Sequence, residues 1–585
     1  MLDDSIKHPQ QTSALPSPFF KRSDGIYLAK ILKDNEEIEV WLCADISVVG
    51  DACDGSGKNW GRIIDFSDRS GASHRLFLTL ADLTGAPNKV LGRLSDHGLR
   101  FNRCKAAREG ILDLLNEWPT EQRFLVTNKP GWASAACDAF IMDASRIIGN
   151  PRVHFMGDTT DISTGSASCG NVDAWKAEVG LKCVGNPVLI ASVSLAFCGP
   201  LLDMLCIDSF GLHLRGSSSC GKSTALNVAI SVWGGPERMS SWRTTANALE
   251  PTAASMNSTL LALDELGQVS GKDAFDAAYT LGNGQGKRRA NAAGRGTPPL
   301  RWRVPVLSSG EITLAEKIAE SGQKTMTGQE VRIIDVAADA GKFGAFEEIH
   351  SAISPAQFAE HLKASAKNTY GLAGPIFVTK YLEKSEGWKS GLHDKVDRIA
   401  KLFLSELTEP ADGPIQRVAA NFALIATAGE LASLWGITGW PKGAAIEAAR
   451  QLFKAWVDRH LAVTNTAELV WLPKLEVFLG GAIGSGVFAA DASAMQNEFG
   501  FWTDTFVFLN DLAWSKAFGP THQTEAAKAL AELGILGKDG KHFRAKIPRT
   551  LGNRERLYRL RMSLLGAEVR LQMTATESST HHTTT

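Results

Sequence analysis

Leu212–His213–Leu214–Arg215–Gly216–Ser217–Ser218–Ser219–Cys220–Gly221–Lys222–Ser223–Thr224 fits the pattern Gly-x-x-x-x-Gly-Lys-Ser/Thr, and the fit extends to the residues on either side. Phe210, Leu212 and Leu214 alternate as the buried positions of a strand do, and Ala225 to Trp233 reads as a helix. Strand, glycine-bounded loop and helix in that order aim backbone N–H groups and a helix N-terminus at one point, which suits a phosphate chain. On this reading Gly216, Ser217, Ser218, Ser219, Cys220, Gly221, Lys222, Ser223 and Thr224 cradle the phosphates of ATP. Lys222 reaches the β- and γ-phosphates and the Ser223 hydroxyl holds Mg2+.

The second half of such a site must supply carboxylates. Thr259–Leu260–Leu261–Ala262–Leu263–Asp264–Glu265 is an apolar run ending in two adjacent acids, and Asp264 lies 42 residues beyond Lys222, room for a crossover helix and one intervening strand. Asp264 is placed to serve the magnesium shell, and Glu265 to orient and deprotonate an attacking water. The bland alternative is an ordinary strand end with surface acids. A third element, Arg301 to Glu311, carries an apolar run ending in Ser308 and Ser309. Ser309 is the candidate γ-phosphate sensor, with Ser308 next. Pro305 argues against a well-paired central strand there, because proline lacks a ladder donor. Glu311 could equally cap the helix that begins near Ile312.

Between these elements, residues 284–303 carry six basic side chains and no acid, interrupted by glycines and Pro298–Pro299. That composition predicts a hairpin or loop rather than a helix. Lys287, Arg288, Arg289 and Arg295 are candidates for contact with a nucleic-acid backbone, which asks for charge rather than base-specific geometry. A solvated loop, or one paired with acids of a neighbouring domain, is the competing reading. Arg332 is the candidate arginine finger reaching a neighbouring subunit, with Arg288 and Arg289 as competitors and an ordinary salt bridge open for each. Arg417 could approach nucleotide from the lid side or form an edge ion pair.

Working outward, 585 residues exceed one core and imply about two to four domains. The expected division is a lead-in (1–20), an N-terminal α+β domain (21–170), the ATPase core (171–350), a helical lid region (351–470), a C-terminal region with a winged-helix-like module (471–573) and a tail (574–585). A net charge of −1 excludes whole-molecule attraction to DNA or acidic lipid, so any polyanion contact is local. All nine cysteines lie at or before Cys220 without metal spacing, which reads as reduced thiols and a cytoplasmic setting. Met1 to Lys7 has no apolar segment of the kind a signal peptide needs. The apolar run Pro187–Cys206 contains Pro200 and Asp203 and is read as a buried helix plus strand rather than a membrane span. In the N-terminal region, Gly25–Leu28, Ile38–Leu42, Gly61–Phe66 and His74–Leu78 read as strands, and Lys89–Gly98 and Ala106–Trp118 as helices. His74 and Trp60 there read as ordinary strand residues, and 151–170 as a surface connection. Near the end, Gln523–Gly534 reads as a helix before a basic two-stranded wing, and residues 541–585 hold nine Lys/Arg against three Glu. Arg544 and Lys546 are candidate nucleic-acid contacts, although such a wing may equally dock on an acidic protein surface. His581–His582 reads as tail.

The segments Gly211–Trp233, Ser241–Glu250, Leu263–Gln268, Tyr279–Ala290 and Leu307–Glu311, with Asn59–Arg62 and Gly131–Trp132 upstream, resemble the family of mobile-element and prophage proteins known as domain of unknown function 927. The resemblance spans about residues 20–350. It implies an α/β P-loop NTPase core of the AAA+ and ring-helicase kind, a three-layer sandwich using ATP and Mg2+. It further implies an oligomer, a hexamer in the simplest case, translocating on DNA, single-stranded by preference, beside replication proteins. Asn247 and Glu250 match residues beside the nucleotide in the family pattern, though from the sequence they could as well brace a loop. The rival expectation is an ATPase switch acting on proteins, such as a loader, remodeller or defence-associated sensor, which would carry aromatic pore residues. A small-molecule kinase fits neither the chain length nor the acid pair.

Overall fold

A computed structural model describes residues 14–31, 35–143, 146–156, 167–290, 296–297, 299–321, 331–339, 341–408, 410–466, 470–484, 498–539, 542–546, 556–567 and 569–573. Arg295 and the tail histidines lie outside the described residues.

The centre is a five-stranded sheet, its strands numbered here in chain order as β1 (Gly211–Arg215), β2 (Met239–Ser241), β3 (Leu261–Asp264), β4 (Val306–Gly310) and β5 (Ile333–Ala337). Every neighbouring pair is parallel and the spatial order is β2-β3-β4-β1-β5. All C-terminal ends therefore share one edge, with β1 and β3 separated in space by β4. The strand that intervenes in sequence, β2, lies outside β3 at the sheet margin. This is a mixed α/β architecture of the P-loop type, with the switch in winding beside β1, where open parallel sheets place ligands.

The expectation that Pro305 would weaken this strand is overturned: β4 pairs with both β1 and β3. Pro305 precedes the first ladder residue. Its carbonyl accepts from Leu261 N–H at 3.0 Å and the next N–H, that of Val306, donates to Phe210 O at 2.9 Å, so the missing donor is never called upon.

Because a parallel sheet is covered on both faces, its strands read as continuous apolar runs. One face packs on Pro187–Met204, Lys222–Ile230 and the long helices Gly413–Leu434 and Ala444–Thr466, forming one apolar cluster. The opposite face packs on Trp242 and the helices Ala246–Ser255 and Gly271–Asn283. The helix Pro187–Met204 has the length and hydropathy to cross a membrane, yet 83% of it is buried inside the fold. Small residues let the helices close up: a Cβ on Gly429 would sit 2.2 Å from Ser194 Oγ.

In the N-terminal region the strands and both helices form where patterning put them. The reading of 151–170 as connection alone is corrected, because Val153–Phe155 pairs in parallel with Arg123–Thr127 and belongs to a five-stranded sheet. Trp132 ties this region to the core, its indole N–H donating to Pro200 O at 3.0 Å. At the far end, helix Gln523–Glu532 leads into Leu536–Gly537, Ala545–Lys546 and Arg556–Arg561, which pair antiparallel over a separate apolar cluster.

Candidate nucleotide-binding site

The loop after β1 turns through two left-handed residues, Ser219 at φ 63° and Gly221 at φ 104°. Gly221 admits no side chain: a Cβ there would lie 2.8 Å from the Phe346 ring. Gly216 is equally confined, between Cys220 Sγ at 2.9 Å and the Asp339 carboxyl carbon at 3.0 Å. The helix Lys222–Ile230 begins at once, with no side chain capping its first turn, so its N-terminal N–H groups face the loop.

Lys222 is buried, and its ammonium donates to Gly216 O at 2.9 Å and Ser217 O at 2.6 Å. The Ser223 hydroxyl donates to Asp264 Oδ2 at 3.2 Å. From the strand between them, the Ser309 hydroxyl donates to Asp264 Oδ1 and accepts from the Glu265 N–H at 3.2 Å. The spatial order of the strands explains this convergence, since β4 ends between the ends of β1 and β3. Lys222, Ser223, Asp264, Glu265 and Ser309 thus meet at one edge. Glu265 takes φ 61°, ψ 67°, a conformation that costs an L-residue about 1–2 kcal/mol, and its side chain is exposed.

Among the described residues no cluster of three or more His, Cys, Asp or Glu side chains forms a metal cage. Mg2+ does not require one, because it commonly takes one or two protein oxygens and completes its shell with phosphate oxygens and water. One hydroxyl and one carboxylate, Ser223 and Asp264, already in contact without an intervening cation, fit that need.

Neighbouring strand residues point to opposite faces, and Ser308 accordingly has another task. Its hydroxyl accepts from the Trp242 indole at 2.8 Å and meets His213 Nδ1 at 2.8 Å. His213 Nε2 lies 3.0 Å from Ile312 O, a pure acceptor, so the proton sits on Nε2 and Nδ1 accepts from Ser308. Burial lowers the His213 pKa, consistent with a neutral ring. Glu311 does not cap the next helix: Thr313 does, in a capping box with Glu316.

The remaining candidates lie elsewhere. Arg332 directly precedes β5, at the sheet edge opposite Lys222, with its aliphatic stem over Gly282. Lys287 and Arg288 are exposed at the root of a two-stranded hairpin, Arg289–Ala290 with Gly296–Thr297, also at the opposite edge. Glu250, read from the family pattern as near the nucleotide, instead accepts from Lys287 N–H at 3.1 Å and braces this hairpin. Arg417 is exposed on the first turns of Gly413–Leu434. Arg544 forms an ion pair with Asp511, while Lys546 is exposed.

Two features escaped the sequence reading. Asp339, just beyond β5, accepts from Ser217 N–H at 3.0 Å and so places a carboxylate at the mouth of the loop. Ala345 N–H donates to Cys220 O at 2.7 Å, seating the following turn on the loop from behind. Neither has a local motif, because both arise from where the chain returns after β5.

The family model for the domain of unknown function DUF927 matches residues 19–297. That span, just under half of the chain, carries the DUF927 domain. The match takes in the loop, Asp264 and Glu265 and stops short of β4, so Ser309 stands on geometry alone. Among solved structures, a protein described as "SCCmec type IV Cch - active helicase" superposes with a TM-score of 0.60 at 19% identity, covering 96% of this chain and 99% of that one. At that identity the likeness is one of fold, and it extends over nearly the whole chain, beyond the residues that the family model matches. No curated protein matches the chain.

Proposed function

We propose that this protein is an Mg2+-dependent ATPase that drives movement along DNA, single-stranded by preference, as a ring, in the simplest case a hexamer, in the cytoplasm. The observation that carries the reading is Asp264, held on one side by Ser223 and on the other by Ser309 at the edge where Lys222 closes the loop. Lys222 turns its ammonium from the loop carbonyls to the phosphates as they enter. Ser223 and Asp264 are the residues that would hold Mg2+, which when bound neutralises phosphate charge. Glu265, exposed beside them, orients the attacking water and takes its proton. Ser309 links Asp264 to the Glu265 backbone and registers the state of the γ-phosphate.

The hairpin favours nucleic acid over protein as the partner. Residues 284–303 contain six basic residues and no acid, and their one aromatic side chain, Trp302, is buried, whereas a protein-gripping pore loop would present exposed aromatics. β4 runs from the hairpin root to Ser309, so one buried strand joins the two. In such a ring Arg332 would serve a neighbouring subunit as finger. The strand order, with a polar residue at the end of β4, supports the AAA+ reading. The DNA-directed role, and service to a mobile element alongside replication proteins, draw support from the described helicase with the same fold.

The test is ATPase rate with and without single-stranded DNA. Lys222→Ala should lose binding and turnover, whereas Glu265→Gln should bind ATP without hydrolysing it. Parental rates in both variants would overturn the site. Turnover indifferent to DNA, with no DNA binding at low salt, would favour the protein-directed switch.

A further inference from the structure

Far from the ATP site, the N-terminal strands Phe19–Arg22, Gly25–Ile31 and Glu37–Cys43 form a three-stranded antiparallel sheet. Phe19, Ile26 and Leu42 are buried beneath it, so residues of opposite parity face outward. Cross-strand register sets Phe20 opposite Tyr27 and Tyr27 opposite Trp41, an aromatic row across all three strands. The three rings are half-buried and join none of the apolar clusters among the described residues. Phe20 and Tyr27 stack with centroids 5.6 Å apart, and the Arg22 guanidinium lies 5.5 and 5.2 Å from the two rings.

A basic margin adjoins Trp41. Arg100–Asn102 runs alongside the third strand, with Ala44 N–H donating to Arg100 O and Asn102 N–H to Leu42 O, each at 2.8 Å. The Arg100 guanidinium sits 5.7 Å from the Trp41 ring. Arg100, Arg103 and Lys105 are exposed, and no acid occurs from His97 to Arg108. At the other end, Lys21–Asp45 and Arg22–Glu39 ion pairs cancel charge, and the exposed Asp24 carboxylate accepts from the Tyr27 hydroxyl at 2.9 Å, which leaves that end acidic. The face is therefore aromatic along its length and positive on one side only.

We propose that this face is a second nucleic-acid site, binding single-stranded DNA by stacking bases on Phe20, Tyr27 and Trp41 while phosphates follow the Arg100–Lys105 margin. The chemistry matches: every base has a π-face and every phosphate a charge, so aromatic row plus basic edge suits a single strand without sequence preference. A duplex hides its bases and gains nothing from the row. The site stands apart from ATP turnover and does not depend on the motor reading.

The experiment is fluorescence anisotropy of a labelled oligothymidylate with the full chain, without nucleotide, across a salt series. A Lys287→Ala/Arg288→Ala background removes the hairpin's contribution. Tyr27→Ala/Trp41→Ala should weaken oligonucleotide binding about tenfold or more, leaving the slope of log K against log salt unchanged. Arg100→Ala/Arg103→Ala should instead reduce that slope by about 1 to 1.5. Circular dichroism checks the fold, and Tyr27→Leu/Trp41→Leu keeps apolar bulk without π-faces should the alanine pair unfold. Unchanged affinity in folded aromatic variants overturns the proposal. So does equal loss for a duplex of the same length, which would mark a charged surface without stacking.

Discussion

Gly221→Ala is the sharpest probe of the phosphate loop. The native φ of 104° lies where an L-residue pays about 1–2 kcal/mol. The new methyl would also meet Phe346 at 2.8 Å and Ala345 Cβ at 3.2 Å, an overpacking worth about 1–3 kcal/mol. Phe346 cannot simply yield, because it is buried and packed edge-on against Phe358 at 5.1 Å. Together these give about 2–5 kcal/mol, or roughly thirtyfold to several thousandfold in affinity if the loop relaxes by leaving its binding geometry. Titration of a fluorescent ATP analogue reads the loss, and a thermal melt separates it from unfolding. Phe346→Leu divides the two causes. It withdraws the ring atoms and should recover about 1–3 kcal/mol of the steric part in the double variant, leaving the backbone part in place. Strict additivity of the two substitutions, or unchanged affinity in Gly221→Ala, would refute the argument that this loop is held in shape from behind by the turn after β5.

Asp339→Ala removes a carboxylate from the loop mouth and should tighten ATP binding about two- to fivefold, the scale of an exposed charge, measured by the same titration. Weaker binding would show that Ser217 N–H needs the brace more than the phosphates mind the charge. Asp203 holds Ser258, Arg303 at 3.2 Å and Lys129 at 3.9 Å beside the hairpin root, so Asp203→Ala should reduce DNA stimulation of the ATPase while sparing ATP affinity. Burial pushes His154 down to about 4, with Arg75 nearby adding to the shift. Its neutral form then favours the fold fully above the unfolded value near 6.5, and that stability is lost as pH falls from about 6.5 to 4. His154→Phe should flatten this part of the acid melting curve, and an unchanged curve would place the loss in other groups.

How far the sequence carried depended on whether a feature is local. The phosphate loop and the acid pair are local: glycine spacing, one lysine and an apolar run state their own geometry, and Ser223 does reach Asp264. Ser309 was nameable because alternation along β4 leaves only two serines to choose between, although only the packing of His213 and Trp242 on Ser308 decides which is free. Pro305 misled because its effect depends on one residue of register, which no local pattern fixes. For Glu250 the sequence left two readings, beside the nucleotide or bracing a loop, and its bond to Lys287 N–H supports the second, a choice set by where the hairpin returns. Asp339 and the turn at Ala345 depend wholly on long-range return of the chain.

β4 gives the two ends of the core a shared element. Its residues are buried throughout, it pairs on both sides, and its polar end, Ser309, touches the carboxylate expected to hold the metal. At its other end, Trp302 N–H donates to Gly284 O at 2.9 Å and Arg303 N–H to Asn257 Oδ1 at 2.8 Å, which fastens the hairpin root to two helices. A strand so enclosed cannot bend locally without breaking ladder bonds on both sides, so displacement at Ser309 is passed on as rigid movement or not at all. Ser309→Ala should therefore do more than slow hydrolysis: ATP and DNA should cease to affect one another's affinity, even where each still binds. If that mutual dependence survives the substitution, the coupling runs through another path, and β4 is scaffold only.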